Sequence, residues 1–206
     1  MTRKASFDRI AWLYDPLVRL VFGTTMRKSQ VRFLDAIRPG SAILILGGGT
    51  GWILDDVFAR TRECRVYYVE NSRAMMERAR KHAKGFDVAF IAGSWEQLPD
   101  VCFDVVITHY FLDLFSDTTL KRMCEEIRAR LKNNGAWLVS DFVISRWWHR
   151  IMIWVMYRFF RISCKIEGLH LPDWEEHVAK AGFISREHAF FYGGFMKSVY
   201  FVREGR

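Results

Sequence analysis

Ile43-Leu44-Ile45-Leu46-Gly47-Gly48-Gly49-Thr50-Gly51 is an apolar run that stops in a cluster of glycines, and its reading decides the fold. The next apolar run, Val66-Tyr67-Tyr68-Val69, ends on an acid, Glu70. The order is strand, tight glycine turn, helix, strand, carboxylate. An open parallel sheet uses that order to hold the ribose and tail of an adenosine-type cofactor, with the acid about 20 residues beyond the glycines. The glycines at 47, 49 and 51 give a G-x-G-x-G spacing. The dinucleotide pattern G-x-G-x-x-G requires glycine at 52, where the indole of Trp52 would crowd a pyrophosphate against the helix N-terminus. No Gly-Lys-Ser/Thr follows, which excludes a P-loop. Thr50 is placed to cap the helix that follows.

Outward from this corner, apolar and amphipathic runs alternate. Strands are expected near 42–47, 65–70, 87–91, 103–108 and 136–142, and helices near 51–60, 72–83 and 117–132. That alternation implies a parallel sheet covered on both faces. An aromatic-rich helix interrupted by Pro16 is expected over 7–22, and a second from about 25 to 37, ending at Pro39-Gly40. After a helix near 172–181, two β runs at 185–192 and 195–203 flank Gly193-Gly194, a hairpin signal.

The 206 residues suit one domain with a full core, and a hydrophobic share of 50% argues against disorder. Cys64, Cys102, Cys124 and Cys164 are scattered without a C-x-x-C, which points to buried thiols in a reducing compartment and to no zinc site. No signal-peptide core opens the chain and no apolar run reaches membrane-spanning length, so a cytoplasmic location is expected. The net charge of +8 invites a nucleic-acid or anionic-membrane reading.

Several segments together resemble the class I S-adenosylmethionine (SAM) methyltransferases. The glycine corner looks like their motif I. Glu70-Asn71-Ser72-Arg73-Ala74-Met75-Met76 is similar to the acid-x-Ser-x-x-Met-Leu segment, and Gly93-Ser94-Trp95-Glu96-Gln97-Leu98-Pro99 to the "D-A-E-x-L-P" loop. Phe103-Asp104-Val105-Val106 looks like the "F-D-x-V" strand, and Leu131-Lys132-Asn133-Asn134-Gly135 like the "L-K-P-G-G" turn. These matches are in order over roughly residues 40 to 142. Phe7-Asp8-Arg9-Ile10-Ala11-Trp12-Leu13-Tyr14-Asp15, with Leu171-Pro172-Asp173 through Ala181-Gly182-Phe183, is closest in look to the ubiquinone/menaquinone C-methyltransferases and related small-molecule enzymes.

The resemblance implies an α/β fold: a Rossmann-like, seven-stranded, mostly parallel sheet with helices on both faces, an antiparallel C-terminal hairpin strand and a helical lid insertion before the last helix. It divides the chain into an N-terminal helical cap (1–38), a SAM-binding core (40–142), a lid or substrate insertion (143–170) and a C-terminal helix and hairpin (171–206). It also implies a SAM-dependent methyltransferase acting on a small, lipophilic acceptor and releasing S-adenosylhomocysteine. The alternatives are a non-catalytic SAM-binding accessory protein of the same fold and, after it, a nucleic-acid methyltransferase. The last is disfavoured by the lack of an Asn/Asp-Pro-Pro-Tyr/Phe motif.

By the same resemblance, Gly47, Gly48, Gly49 and Gly51 meet the methionine part of SAM and Glu70 takes the ribose hydroxyls. Asn71 flanks the adenine, Ser94 and Trp95 edge it, and Tyr14 and His109 close the methionine side. His109 and Asp113, past the end of the fourth strand, are the catalytic candidates, with His149 and His170 as further bases. The family has an acid where this chain has Ile45, and an aspartate where it has Ser94.

The segment from Ile144 to Ile162 is apolar over most of a helical circumference, with Arg146, Arg150, Arg158 and Arg161 forming one basic stripe. From Phe142 to Ile166, counting also Lys165, there are five basic residues and no acid. Three roles are open for it: a lid over the site, a lid that also contacts a membrane surface through 146–162, and a dimer contact. Monomer and homodimer are both allowed, and any membrane contact would be peripheral at the inner surface.

Overall fold

The computed structural model describes residues 8, 11–163 and 170–204. Phe7, Arg9 and Ile10 of the opening segment, Cys164, Lys165, Ile166 and the side chains of Arg161 and Ile162, all used above, lie outside the described residues. A seven-stranded sheet runs in the order β3-β2-β1-β4-β5-β7-β6. Its parallel part is β1 (Ala42–Leu46), β2 (Arg65–Glu70), β3 (Val88–Ala92), β4 (Phe103–His109) and β5 (Leu131–Phe142). β7 (Met196–Arg203) runs antiparallel both to β5 and to β6 (Phe183–Phe191), so it is the one reversed strand. The hairpin expected around Gly193-Gly194 supplies that reversal, through a tight turn at Tyr192–Gly194.

β1 lies at the centre, between β2 and β4, and every residue from Ile43 to Leu46 is buried. A continuous apolar run is what a strand covered on both faces requires. Leu44 and Leu46 join the core under α5 (Asp117–Arg130) and α7 (Trp174–Lys180), while Ile43 and Ile45 join the core under α3 (Ile53–Arg60). Ile45, where the resembled family carries an acid, is therefore a core side chain.

α3 presents Ile53, Leu54, Val57 and Phe58 inward and sets Asp55 and Asp56 in its first turn, where they complement the helix dipole. Thr50 does not cap it: its hydroxyl donates instead to Asp15 Oδ1 at 2.9 Å, on α1 (Ala11–Phe22). α4 (Arg73–His82) is capped by Ser72, whose Oγ accepts from Met75 N at 3.2 Å. The second expected helix is shorter than its sequence suggests: α2 covers Thr25–Val31, and Leu34–Ala36 is a separate 3-10 turn. Cys64 and Cys124 are buried thiols as expected, but Cys102 is exposed.

α6 (Trp147–Ser163) follows β5. With Phe22 and Met26 from the N-terminal helices, its Ile153 and Tyr157 pack into a third apolar cluster around Phe142, Phe195 and Met196. This cluster sits beyond the C-terminal ends of β4 and β5, beside the edge where open α/β sheets bind their ligands.

Candidate active site

At that edge the chain makes three close turns around one cavity. The first is the glycine corner. Gly47, Gly49 and Gly51 have φ of 64°, 63° and 87°, left-handed backbone that only glycine adopts without strain. The four glycines do different jobs. Gly47 and Gly49 line the cavity. Gly48 and Gly51 do not: a Cβ on Gly48 would strike the Tyr68 ring, and one on Gly51 would come within 2.5 Å of Ala79 Cα on α4. Those two let the corner close against β2 and α4, so they shape the site without facing it.

The second turn is the end of β2. Glu70 is 7% exposed and lines the cavity. Its Oε2 accepts from Gly49 N at 3.0 Å and its Oε1 from Ser72 N at 2.7 Å. Burial pushes this carboxyl above the usual carboxylate range, opposed by the amides of Ser72, Gly49 and Asn71. Each carboxylate oxygen has two acceptor positions, so with these three amides in place Glu70 can hold the corner and still receive one further donor. Asn71 and Met75 continue the wall.

The third side comes from Gly93, Ser94 and Trp95 after β3. Ser94 Oγ is buried without a hydrogen-bond partner among the described residues, an orphaned polar atom at the cavity edge. Trp95 is buried, with the Arg122 guanidinium 5.4 Å from its ring centre. A buried acid with a spare acceptor position, an orphaned hydroxyl and a broad aromatic wall suit the ribose and the adenine edge of a nucleoside. Tyr14 of α1 closes the fourth side.

His109 and Asp113 are not brought to this wall. Tyr110 lines the cavity in place of His109, held at a φ of 51°, a strained conformation for a bulky residue. Tyr110 N donates to Ser140 O at 2.7 Å, and its hydroxyl meets Ser29 Oγ at 2.6 Å. Because the Ser29 hydroxyl donates to Met26 O at 2.7 Å, its oxygen is left to accept from Tyr110. His109 has its pKa lowered by burial to about 3, which leaves a neutral imidazole of little basicity.

Asp113 is 4% exposed and lies beneath the cavity loop. Its neighbour in charge is Asp141, whose Oδ2 accepts from the amides of Phe111, Leu112 and Asp113 and whose Oδ1 accepts from Phe142 N. Asp113 Oδ1 has no partner among the described residues. Burial raises both carboxyls, Asp141 to about 7, and the Asp141 charge raises Asp113 further. The four amides favour the ionised form of Asp141, so Asp113 carries the proton. Asp141 is the anchor of the loop from Tyr110 to Phe115, and sequence reasoning missed it, as it missed Tyr110. His149 is buried at the start of α6, its Nδ1 accepting from Ser145 N at 3.1 Å, and His170 meets Asp117 Oδ2 at 3.1 Å on the surface. Neither lines the cavity, and neither does any described side chain of α6. That helix braces the loop from outside, the Tyr157 hydroxyl donating to Asp113 O at 2.9 Å.

Residues 43–135 match the family model described as "Methyltransferase domain". The matched span is the sheet core that carries the glycine corner, Glu70 and Trp95. Over that span the chain is similar to methyltransferase domains. A curated relative, carboxy-S-adenosyl-L-methionine synthase of Nautilia profundicola, is 24% identical over 178 residues, covering 77% of this chain and 76% of its own. Among solved structures, a chain of the Haloferax volcanii complex between the Trm112 methyltransferase activator and a methyltransferase superposes with a TM-score of 0.75 at 18% identity, over 97% of both chains. CalO1, a methyltransferase of calicheamicin biosynthesis in its S-adenosylhomocysteine-bound form, superposes with a TM-score of 0.67 at 15% identity, over 94% of this chain and 57% of that one. A SAM-dependent methyltransferase is what these comparisons support.

Proposed function

We propose that the methyl acceptor is a small lipophilic molecule that brings its own nucleophile, such as a quinol-like ring carbon or a thiolate. The observation that carries this reading is the aromatic and aliphatic part of the cavity lining: Tyr14, Tyr110, Phe111, Leu114 and Phe115. Such a wall pays no desolvation penalty for an apolar guest and a large one for a charged guest.

In this reading the Gly47–Gly49 backbone holds the methionine part of the cofactor, Glu70 the ribose hydroxyls, and Asn71, Ser94 and Trp95 the adenine. SAM supplies a methyl group on a sulfonium centre, already activated for displacement. The chain's own task is alignment and exclusion of water. No strong base is at hand in the wall. Glu70 is held by the amides of Gly49, Ser72 and Asn71, Glu96 lies 3.8 Å from Arg122, and burial raises the Tyr110 phenol so that it stays neutral. An acceptor that needs no proton removed before attack fits this inventory best.

A second reading is a SAM-binding accessory that does not turn over. Ile45 favours it, since that position is core and offers no carboxylate to the cofactor's ammonium group. The test is transfer of label from methyl-labelled SAM, offered in parallel with a membrane-lipid extract, an aqueous metabolite extract and bulk RNA. The proposal expects label in the lipid-phase product, matched by S-adenosylhomocysteine. Label in RNA overturns it, and SAM binding without turnover in any extract favours the accessory reading.

A further inference from the structure

The inner face of α6 accounts for only part of its apolar surface. His149, Ile153 and Tyr157, one turn apart, point into the third cluster. At about 100° per residue, Trp147, Arg150, Ile151, Trp154, Val155 and Arg158 then fall on one outward arc of roughly 140°. Trp147 is 76% exposed and Trp154 64%, with Ile151 and Val155 also exposed. A soluble surface helix normally sets charged and polar groups there. Here the arc holds tryptophans and aliphatics with arginines among them, and the Arg158 guanidinium lies 5.8 Å from the Trp154 ring centre.

α1 repeats the pattern. Phe22 is buried in the same third cluster, with Tyr14 and Val18 packed against it, while Trp12 is 66% and Leu20 83% exposed and Arg19 lies beside them. Tyr192 ties the two helices together. Its hydroxyl donates to Val21 O at 3.0 Å, and its ring lies 5.3 Å from Phe22 and 6.2 Å from Trp148. α1 and α6 therefore rest on one shared support, each with an exposed apolar side.

We infer that these exposed sides dock on an anionic lipid bilayer, with α1 and α6 lying in the plane of the headgroups. The charge chooses the occupant. α6 carries arginines and no acid along its length. A second copy of the chain would bring the same patch against itself, arginine against arginine, because a two-fold interface is self-complementary. An anionic membrane offers the opposite charge at the surface and hydrocarbon just below it. Arginine and tryptophan on one helix suit that boundary, the indoles at the acyl interface and the guanidinium groups reaching back to phosphate. No helix among the described residues is long and apolar enough to cross a membrane, so the contact lies on the bilayer. Tyr14 and Leu114 pack against the cluster under these helices and also line the cavity, so docking sets the cavity beside the lipid. The inference concerns lipid binding alone and stands or falls without any acceptor.

The full chain is tested by sedimentation with vesicles of phosphatidylcholine alone and of phosphatidylcholine mixed with phosphatidylglycerol, with brominated lipids as tryptophan quenchers. Binding is expected to the mixed vesicles only, weakening as salt is raised, with quenched fluorescence. Arg150→Gln and Arg158→Gln each lower the partition coefficient about fivefold. The triple variant Trp147→Ser, Ile151→Ser, Trp154→Ser loses both binding and quenching. Retained SAM binding in every variant shows that the fold is intact. Failure of the wild-type chain to bind the mixed vesicles overturns the inference. So does a lipid-free dimer that Trp154→Ser converts to monomer, or binding that survives loss of the three apolar side chains.

Discussion

Gly49 N donates to Glu70 Oε2 at 3.0 Å, joining the glycine corner after β1 to the carboxylate that ends β2. With Ser72 N on the other oxygen, one side chain fixes two backbone turns at once. Glu70→Gln keeps the volume but turns an amide NH2 toward one of those donors. The variant is expected to lose about 1–3 kcal/mol of stability in urea unfolding, the cost of a buried hydrogen bond to a charged acceptor. Because burial raises the Glu70 pKa, SAM affinity in the wild type should decline on acidification before an ordinary glutamate would titrate. A calorimetric series against pH reads that decline.

Gly51 has a φ of 87° and no room for a side chain, since a Cβ would lie 2.5 Å from both Ala79 Cα and Ala79 Cβ. Gly51→Ala forces α3 and α4 apart and is expected to cost about 3 kcal/mol or more. Gly85 is the control: its φ is 82° but nothing lies within 4 Å of the added atom. Gly85→Ala should cost only the left-handed backbone penalty, about 1–2 kcal/mol. Thermal or urea unfolding of the two variants separates clash from strain.

The Asp113–Asp141 pair makes stability fall as pH rises. Burial holds both carboxyls above their unfolded pKa values, Asp141 to about 7, so between roughly pH 4 and 7 the folded chain binds more protons than the unfolded one. The protonated pair contributes its full stability below the unfolded pKa, and that stability is lost as pH passes the folded values. Asp113→Asn removes one titration beside Asp141. Its stability curve should be flatter across that window and lie above the wild type at pH values of about 8. Urea midpoints measured across pH check both the slope and the crossing.

Trp95 is buried at the cavity wall with Arg122 stacked over it. Trp95→Ala is expected to weaken SAM binding by about tenfold through loss of ring contact. Arg122→Ala, which removes a group that is 63% exposed, should change it much less. A matched pair of titrations distinguishes a stacking wall from a charge effect.

The corner was legible because its chemistry is local: an apolar strand, glycines at positions needing positive φ, and an acid one strand away. The parallel sheet followed from the alternation of strand and helix, and the reversed β7 from Gly193-Gly194. What escaped is long-range. Whether His109 or Tyr110 faces the cavity depends on the bend at Tyr110, where the φ of 51° breaks strand alternation and which the Ser140 and Ser29 hydrogen bonds hold. Asp141 sits inside an apolar strand, and only the β4–β5 register brings it under the amides of Phe111 to Asp113. The arginines of the insertion read as one stripe on a helix apolar over most of its circumference, without showing which side is buried. In the structure Arg150 and Arg158 share their face with Trp147 and Trp154, because the third cluster takes the opposite side of the helix.

The proposed seat of the cofactor is the corner of Gly47, Gly49 and Glu70. Isothermal titration of SAM into the folded wild-type chain and into Glu70→Ala tests it most directly. One site per chain is expected in the wild type, with an affinity lowered by on the order of a hundredfold in Glu70→Ala, where buried donors lose a charged acceptor. Folded wild-type protein that shows no SAM binding, or a folded Glu70→Ala variant that binds SAM as the wild type does, would contradict it.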